Sequence, residues 1–161
     1  MLPYQLKAVS PRKFYIMAIM TMGLYVIYWW YQQWKTIERE EAVNILPLVR
    51  AFFSLFFCHD FFKRIHPKPL STYLTVTYIL VCIMTAVLGV IGVISFWLIL
   101  LQMALTVLGL PGILWWSVDA ILGASNGQDV DDSFNAYSYL ALFCGVFLWL
   151  ANLSALSLFP A

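Results

Sequence analysis

STYLTVTYILVCIMTAVLGVIGVISFWLILLQMALTVLGLPGILWWSV, residues 71–118, contains no Asp, Glu, Lys, Arg or His. A helical bilayer crossing takes roughly 20 apolar residues, so this run of about 48 holds two crossings back to back. A soluble core of ordinary size does not accommodate it, and the chain on either side is read as membrane protein. Gly89 and Gly92 fall where the turn between the two crossings belongs, with Ser95 just beyond. In the second crossing, Gly109-Leu110-Pro111-Gly112 predicts a kink. Proline removes one backbone hydrogen bond and crowds the preceding turn, while either glycine would let a neighbouring helix come close.

Composition agrees: the chain is 63% hydrophobic and 11% charged, against about 25% charged in soluble domains. The expectation is an all-α membrane protein, one domain over 1–161, built as a polytopic bundle of four to five transmembrane helices. The crossings are placed at 14–34, 46–62 (short), 71–91, 96–122 and 134–158. All nine Lys and Arg lie between Lys7 and Lys68, and only acids follow. Basic residues flanking apolar segments in ones and twos give no nucleic-acid footprint. By the positive-inside rule they predict a cytoplasmic N-terminus, with Lys63, Arg64 and Lys68 on the same side. That requires 14–34 and 46–62 either both to cross or both to stay on one side. The crossing hairpin is favoured, giving five crossings and a periplasmic C-terminus. Met1–Lys13 has no apolar core, so no signal peptide is expected. Cys58, Cys82 and Cys144 are widely spaced and odd in number, which is not a disulfide framework.

Ser10-Pro11 reads as a helix start, with Ser as N-cap and Pro at the first helical position. The segment it opens carries Tyr25, Tyr28, Trp29, Trp30, Tyr31 and Trp34. An interfacial aromatic belt explains Tyr31 and Trp34 but not Tyr25, which ten residues of straight helix would carry roughly 15 Å deeper. Strong tilt, or contact of the deeper rings with other helices, is therefore expected, and Gly23 would allow close helix approach or a kink. Lys35–Asn44 is a charged extension, and Pro47 starts the short segment. His66-Pro67-Lys68-Pro69 is a stiff linker. Gly123–Ser133 is a loop rich in turn formers. Its acids, Asp129, Asp131 and Asp132, lack the Gly and Glu that an EF-hand loop needs at its sixth and twelfth positions. In the last crossing, Gly145, Ala151, Ser154 and Ala155 offer a packing face of small residues.

The nearest approach to a reactive cluster is Cys58-His59-Asp60 with His66. Successive helical residues point in different directions, so a metal site is not expected, and no cofactor is. No phosphate loop, Gly-x-Ser-x-Gly or His-Glu-x-x-His occurs. Arg50 and Asp119 are the ionisable residues closest to membrane depth, where charge marks function or snorkels to an interface. Arg50 is expected to reach an interface or to pair with Glu38, Glu40 or Glu41. Asp60 would lie about 15 Å along one helix from it. Candidate partner or lipid contacts are Tyr25, Tyr28, Trp29, Trp30, Arg50, Asp119, Gly145 and Trp149.

The order Ser10-Pro-Arg-Lys-Phe14, Thr21-x-Gly23-Leu-Tyr25-x-x-Tyr28-Trp29, Trp34-Lys35, Arg50-Ala-Phe-Phe53 and Phe62-Lys-Arg64 resembles a family of small bacterial integral membrane proteins. That family is a domain of unknown function with a Thr-x-Gly-x-Tyr-x-x-Tyr-Trp signature. The likeness continues in Asn126, Phe134-Asn135-Ala136-Tyr137, Gly145 and Trp149. Trp115 and Trp116 depart from it, standing where the family often carries a polar or basic residue. The resemblance implies a helical bundle in the bacterial inner membrane and no particular activity. Three function classes follow from the residues. The first choice is a non-enzymatic accessory or assembly subunit of a larger membrane complex, with membrane lipids and other membrane subunits as partners. The alternatives are a small transporter or channel, and a lipid-binding membrane protein.

Overall fold

The computed structural model describes residues 6–91, 96–125 and 130–156, and among these the chain is all-helical apart from one isolated bridge. The helices are α1 (Pro11–Met20), α2 (Leu24–Glu41), α3 (Pro47–Phe52), α4 (Ser54–Ile65) and α5 (Leu70–Ile91). They are followed by α6 (Phe96–Ala104), a π segment (Leu105–Gly109), α7 (Leu110–Ala124) and α8 (Ala136–Leu156).

The start of α1 is the expected one: Pro11 sits in its first turn, and the Ser10 hydroxyl accepts from the Lys13 backbone N–H at 3.2 Å. Its course then departs from expectation. The single helix placed over 14–34 is two helices, broken at Thr21-Met22-Gly23, and the second runs back beside the first. A straight helix would separate Phe14 from Trp29 by about 22 Å. Instead their rings are 5.5 Å apart, Phe14 and Tyr25 are 6.0 Å apart, and Gln33 Nε2 donates to the Lys7 carbonyl at 3.0 Å. The reversal needs left-handed backbone at Met22 (φ 51°) and Gly23 (φ 88°). Such a conformation suits glycine and costs a residue with a side chain about 1 kcal/mol or more. Thr21 binds the break together. Its hydroxyl donates to the Met17 carbonyl at 2.7 Å and accepts from the Tyr25 N–H at 2.9 Å, supplying the N-terminus of α2 with an acceptor.

This hairpin resolves the depth of Tyr25. The aromatic residues of α2 lie on a returning arm, and several face inward. Trp29 (1% exposed) and Trp30 (0%) are buried with Trp34, Phe14, Phe61 and Phe62. Trp30 stands 4.5 Å from Phe61 and 5.8 Å from Tyr78, edge to face, the arrangement that ring quadrupoles favour.

The expected segment 46–62 is likewise two helices, turned at Phe53. The turn accounts for a further correction. Arg50 pairs with Asp60 at 3.5 Å, the residue that one straight helix would have kept distant, and Glu41 pairs instead with Arg64. The Arg50 guanidinium also lies over the rings of Trp34 (4.6 Å) and Phe57 (5.0 Å).

Helix α5 and the continuous run Trp97–Ala124 are each long and apolar enough to cross a membrane. Only 22% and 17% of their most apolar windows lie inside the protein, so neither is the enclosed core helix of a soluble domain. They pack antiparallel: Gly89 faces Gln102 and Gly109 faces Val81. The run continues through Pro111. Its irregularity falls just before the proline, where the Leu110 N–H bonds the Leu105 carbonyl in π fashion. One wider turn accommodates a ring that would collide with a regular α-turn. An added Cβ at Gly109 would lie 3.4 Å from Val81, and at Gly112 3.6 Å from the Tyr15 hydroxyl. These are ordinary contacts, so close approach is not what either glycine provides.

Charge is gathered at one end. The extended strand before α1 meets the loop after α7: the Asp131 N–H donates to Ala8 O at 3.0 Å, and the Ser10 hydroxyl bonds Asp132. His66, after α4, meets Ser117 of α7 at 3.1 Å, and Lys68 lies two residues before the start of α5. The basic residues expected to share a side thus lie at one end of the helices. The opposite helix ends, Ile91 and Trp97, carry no charge.

Candidate functional site

Helix α8 seats on the reversal of the α1–α2 hairpin. A Cβ built on Gly145 would stand 2.1 Å from the Met20 carbonyl oxygen, so only glycine permits this approach. One turn later the Trp149 indole donates to the Ile19 carbonyl at 3.1 Å. Both carbonyls belong to the last turn of α1, where the break ends the regular helical ladder; the Ile19 carbonyl also accepts from the Met22 N–H at 3.1 Å. Between α8 and the α1–α2 hairpin lies a partly open cleft of about 500 Å³. That lies within the roughly 300–1,000 Å³ range of small-molecule sites.

The cleft is ordered by polarity. Its rim, at the charged end, holds Lys13, Asp131, Asn135 and Ser138, and Tyr25 and Tyr28 line the cleft from α2. Its walls are Met17, Leu24, Ala141, Cys144 and Leu148, and Thr21 and Gly145 form the inner end. Lys13 is 2% exposed, and burying its ammonium requires the partners present. Its Nζ binds the Asp131 carboxylate and the Ser133 carbonyl (2.7 Å), and lies 5.8 Å from the Phe134 ring centre. Asp131 is the more open member of the pair, its side chain 28% exposed. Asn135 accepts through Oδ1 from both the N–H and the hydroxyl of Ser138, each at 3.0 Å, which caps the start of α8 and leaves its NH2 group to donate.

The sequence-predicted contact residues divide here. Tyr25, Tyr28 and Gly145 meet in the cleft, and Trp149 lies one turn beyond Gly145, bonded to the Ile19 carbonyl. Trp29 and Trp30 are interior packing and offer no surface to a partner. Arg50 belongs to the charge cluster on α3 and α4, and Asp119 is exposed on α7, apart from the cleft. Lys13, Asp131, Asn135 and Thr21 were not singled out as contacts. Lys13 and Asp131 are 118 positions apart, and an isolated Lys before an apolar run reads only as a topology signal.

The Cys58-His59-Asp60 and His66 group points in four directions. Cys58 Sγ donates to Leu55 O, His59 lies 3.4 Å from the Thr75 hydroxyl, Asp60 meets two arginines, and His66 meets Ser117. Among the described residues no three His, Cys, Asp or Glu side chains converge on a metal position. The Asp131 and Asp132 carboxylates serve Lys13 and Ser10.

Burial lowers the pKa of His66 from 6.5. The unfolded chain then takes up this proton more readily than the folded one, so stability is complete above about pH 6.5 and falls as pH drops toward the lowered folded value. A melting-temperature profile from pH 8 to pH 5 should therefore decline below pH 6.5, and His66→Gln should flatten that decline.

No protein-family model, curated protein or solved structure matches this chain.

Proposed function

We propose that this is a multi-pass membrane protein of the bacterial inner membrane whose work is non-covalent: it holds an amphiphile in the cleft between the α1–α2 hairpin and α8. In this arrangement α5, the α6–α7 run and α8 cross the bilayer. The hairpin enters from the charged, cytoplasmic face and returns to it. Ten residues of α1 rise about 15 Å, half of a ~30 Å hydrocarbon core. Three crossings leave the end of α8 on the periplasmic side, the same parity as the five expected from the sequence. The resemblance to small bacterial membrane proteins supports the compartment. The observation that carries the function is the polarity order of the cleft, charged and hydroxylated at the headgroup end and apolar at mid-depth.

Mild-detergent purification followed by native mass spectrometry tests this. The wild type should retain a bound lipid, and Ala141→Phe, which fills the cleft from α8, should lose it while keeping its helical content. Equal lipid retention by a folded Ala141→Phe protein would contradict the assignment.

The accessory-subunit reading has its own support in an outward stripe on α8. Tyr139, Phe143, Phe147 and Leu150 are all more than half exposed, and the Phe143 and Phe147 rings are 5.1 Å apart. Helices in lipid associate through close packing and hydrogen bonds, and this stripe presents large knobs for a partner helix. Photocrosslinking from Phe143 to one stoichiometric protein would favour that reading, and crosslinks to lipid alone would count against it.

A further inference from the structure

We infer that the occupant of the cleft is one phospholipid with an amine-bearing, zwitterionic headgroup, taken from the leaflet at the charged end. This rests on the cleft being a lipid site. Its length is the first argument. The cleft runs from Lys13 to the hairpin tip at Thr21, along less than the ten residues of α1. One leaflet's acyl chain matches that depth, whereas a partner's transmembrane helix needs roughly 20 residues and both leaflets.

Charge at the rim sets the headgroup. Lys13 is buried and satisfied by Asp131 and the Ser133 carbonyl, so it has little to offer an incoming phosphate. The accessible charge of the pair is the Asp131 carboxylate, which accepts hydrogen bonds and therefore selects a headgroup cation carrying N–H. Donors for the phosphate line the same cleft: the hydroxyl of Tyr28, a residue 48% exposed, and the Asn135 NH2 group. A primary ammonium on Asp131 and a phosphate on Tyr28 and Asn135 use both signs of the headgroup. A trimethylated amine has no N–H to donate, and a glycerol headgroup has no cation.

The test is competitive retention by the purified full chain. It is offered phosphatidylethanolamine, phosphatidylcholine and phosphatidylglycerol of identical acyl chains, and bound lipid is counted by native mass spectrometry. Phosphatidylethanolamine should be favoured roughly tenfold over each of the others, the worth of one charge-assisted hydrogen bond. Asp131→Asn should abolish the preference. Because that change leaves Lys13 buried without its counter-ion, Tyr28→Phe and Asn135→Ser serve as a second pair: serine keeps an oxygen to cap α8 while removing the NH2 group, and each change is expected to weaken phosphatidylethanolamine retention without shifting the melting temperature. Preference for phosphatidylglycerol or phosphatidylcholine, or unchanged retention in the second pair, would overturn the headgroup assignment while leaving the cleft a lipid site. Retention of none of the three, or equal retention by Ala141→Phe, would overturn the lipid site itself.

Discussion

Replacing Gly145 by alanine is expected to unseat α8 from the α1–α2 hairpin. The new methyl would stand 2.1 Å from the Met20 carbonyl oxygen, and its next neighbours are backbone too: Met20 C at 2.8 Å and Thr21 Cα at 3.3 Å. A flexible side chain can swing aside, but two backbones must separate. Contact between Cβ and oxygen begins above 3 Å, so the helices would part by the better part of an ångström. That also breaks the Trp149 bond to Ile19. Overpacking typically costs about 1–3 kcal/mol and occasionally more, and rigid atoms on both sides place this change at the upper end. Thermal melting of the detergent-purified variant should show a large loss of stability together with loss of cleft-bound lipid. Gly123→Ala is the control: nothing lies within 4 Å of that position, and alanine favours helix by up to about 1 kcal/mol. It should be neutral or slightly stabilising. A Gly145→Ala protein that melts like the wild type would show that α8 does not sit on the hairpin in this way.

Trp30→Ala should be of comparable severity for a different reason. Trp30 is fully buried and in ring contact with Trp29, Phe61, Phe62 and Tyr78, so it joins α2 to both α4 and α5. Truncating a buried Trp or Phe costs about 3–5 kcal/mol, through lost contacts and the cavity left behind. Lipid does not replace those contacts, because the space is closed to it. Trp30→Phe should recover part of the loss by keeping an edge-to-face partner for Phe61. If Trp30→Ala is as mild as a surface substitution, the aromatic residues of α2 face outward and the hairpin fold is wrong.

What the sequence makes legible is local. The Ser10-Pro11 cap, the stiff linker at His66–Pro69 and the two apolar runs of 71–118 each depend on residues within one or two turns, and each stands where it was expected. The hairpin was only half visible. Gly23 marked a place where the helix could bend, but a kink and a full reversal share that signal. The hydroxyl of Thr21 decides between them through two bonds that an apolar stretch does not announce. The misfit of Tyr25 with an interfacial belt was the clue, since a ring too deep for a crossing helix is at home on a returning one. The pairing of Arg50 with Asp60 was hidden by a turn at Phe53, where no proline or glycine signals a break. The cleft was hidden more thoroughly, because its rim joins Lys13 to residues more than 100 positions away, and its floor depends on one glycine in the last helix.

The hairpin is the central claim, because the aromatic interior, the seat of α8 and the cleft all depend on it. Sided thiol labelling tests it most directly. In a background with Cys58, Cys82 and Cys144 replaced by serine or alanine, single cysteines are placed at Lys7, before α1, and at Arg39, near the end of α2; both positions are exposed. A membrane-impermeant maleimide is then applied to right-side-out and to inverted membrane vesicles. The hairpin predicts that Lys7→Cys and Arg39→Cys label from the same side, in inverted vesicles only. Labelling of the two positions from opposite sides would mean that 14–34 crosses the bilayer as one helix, and would contradict the fold described here.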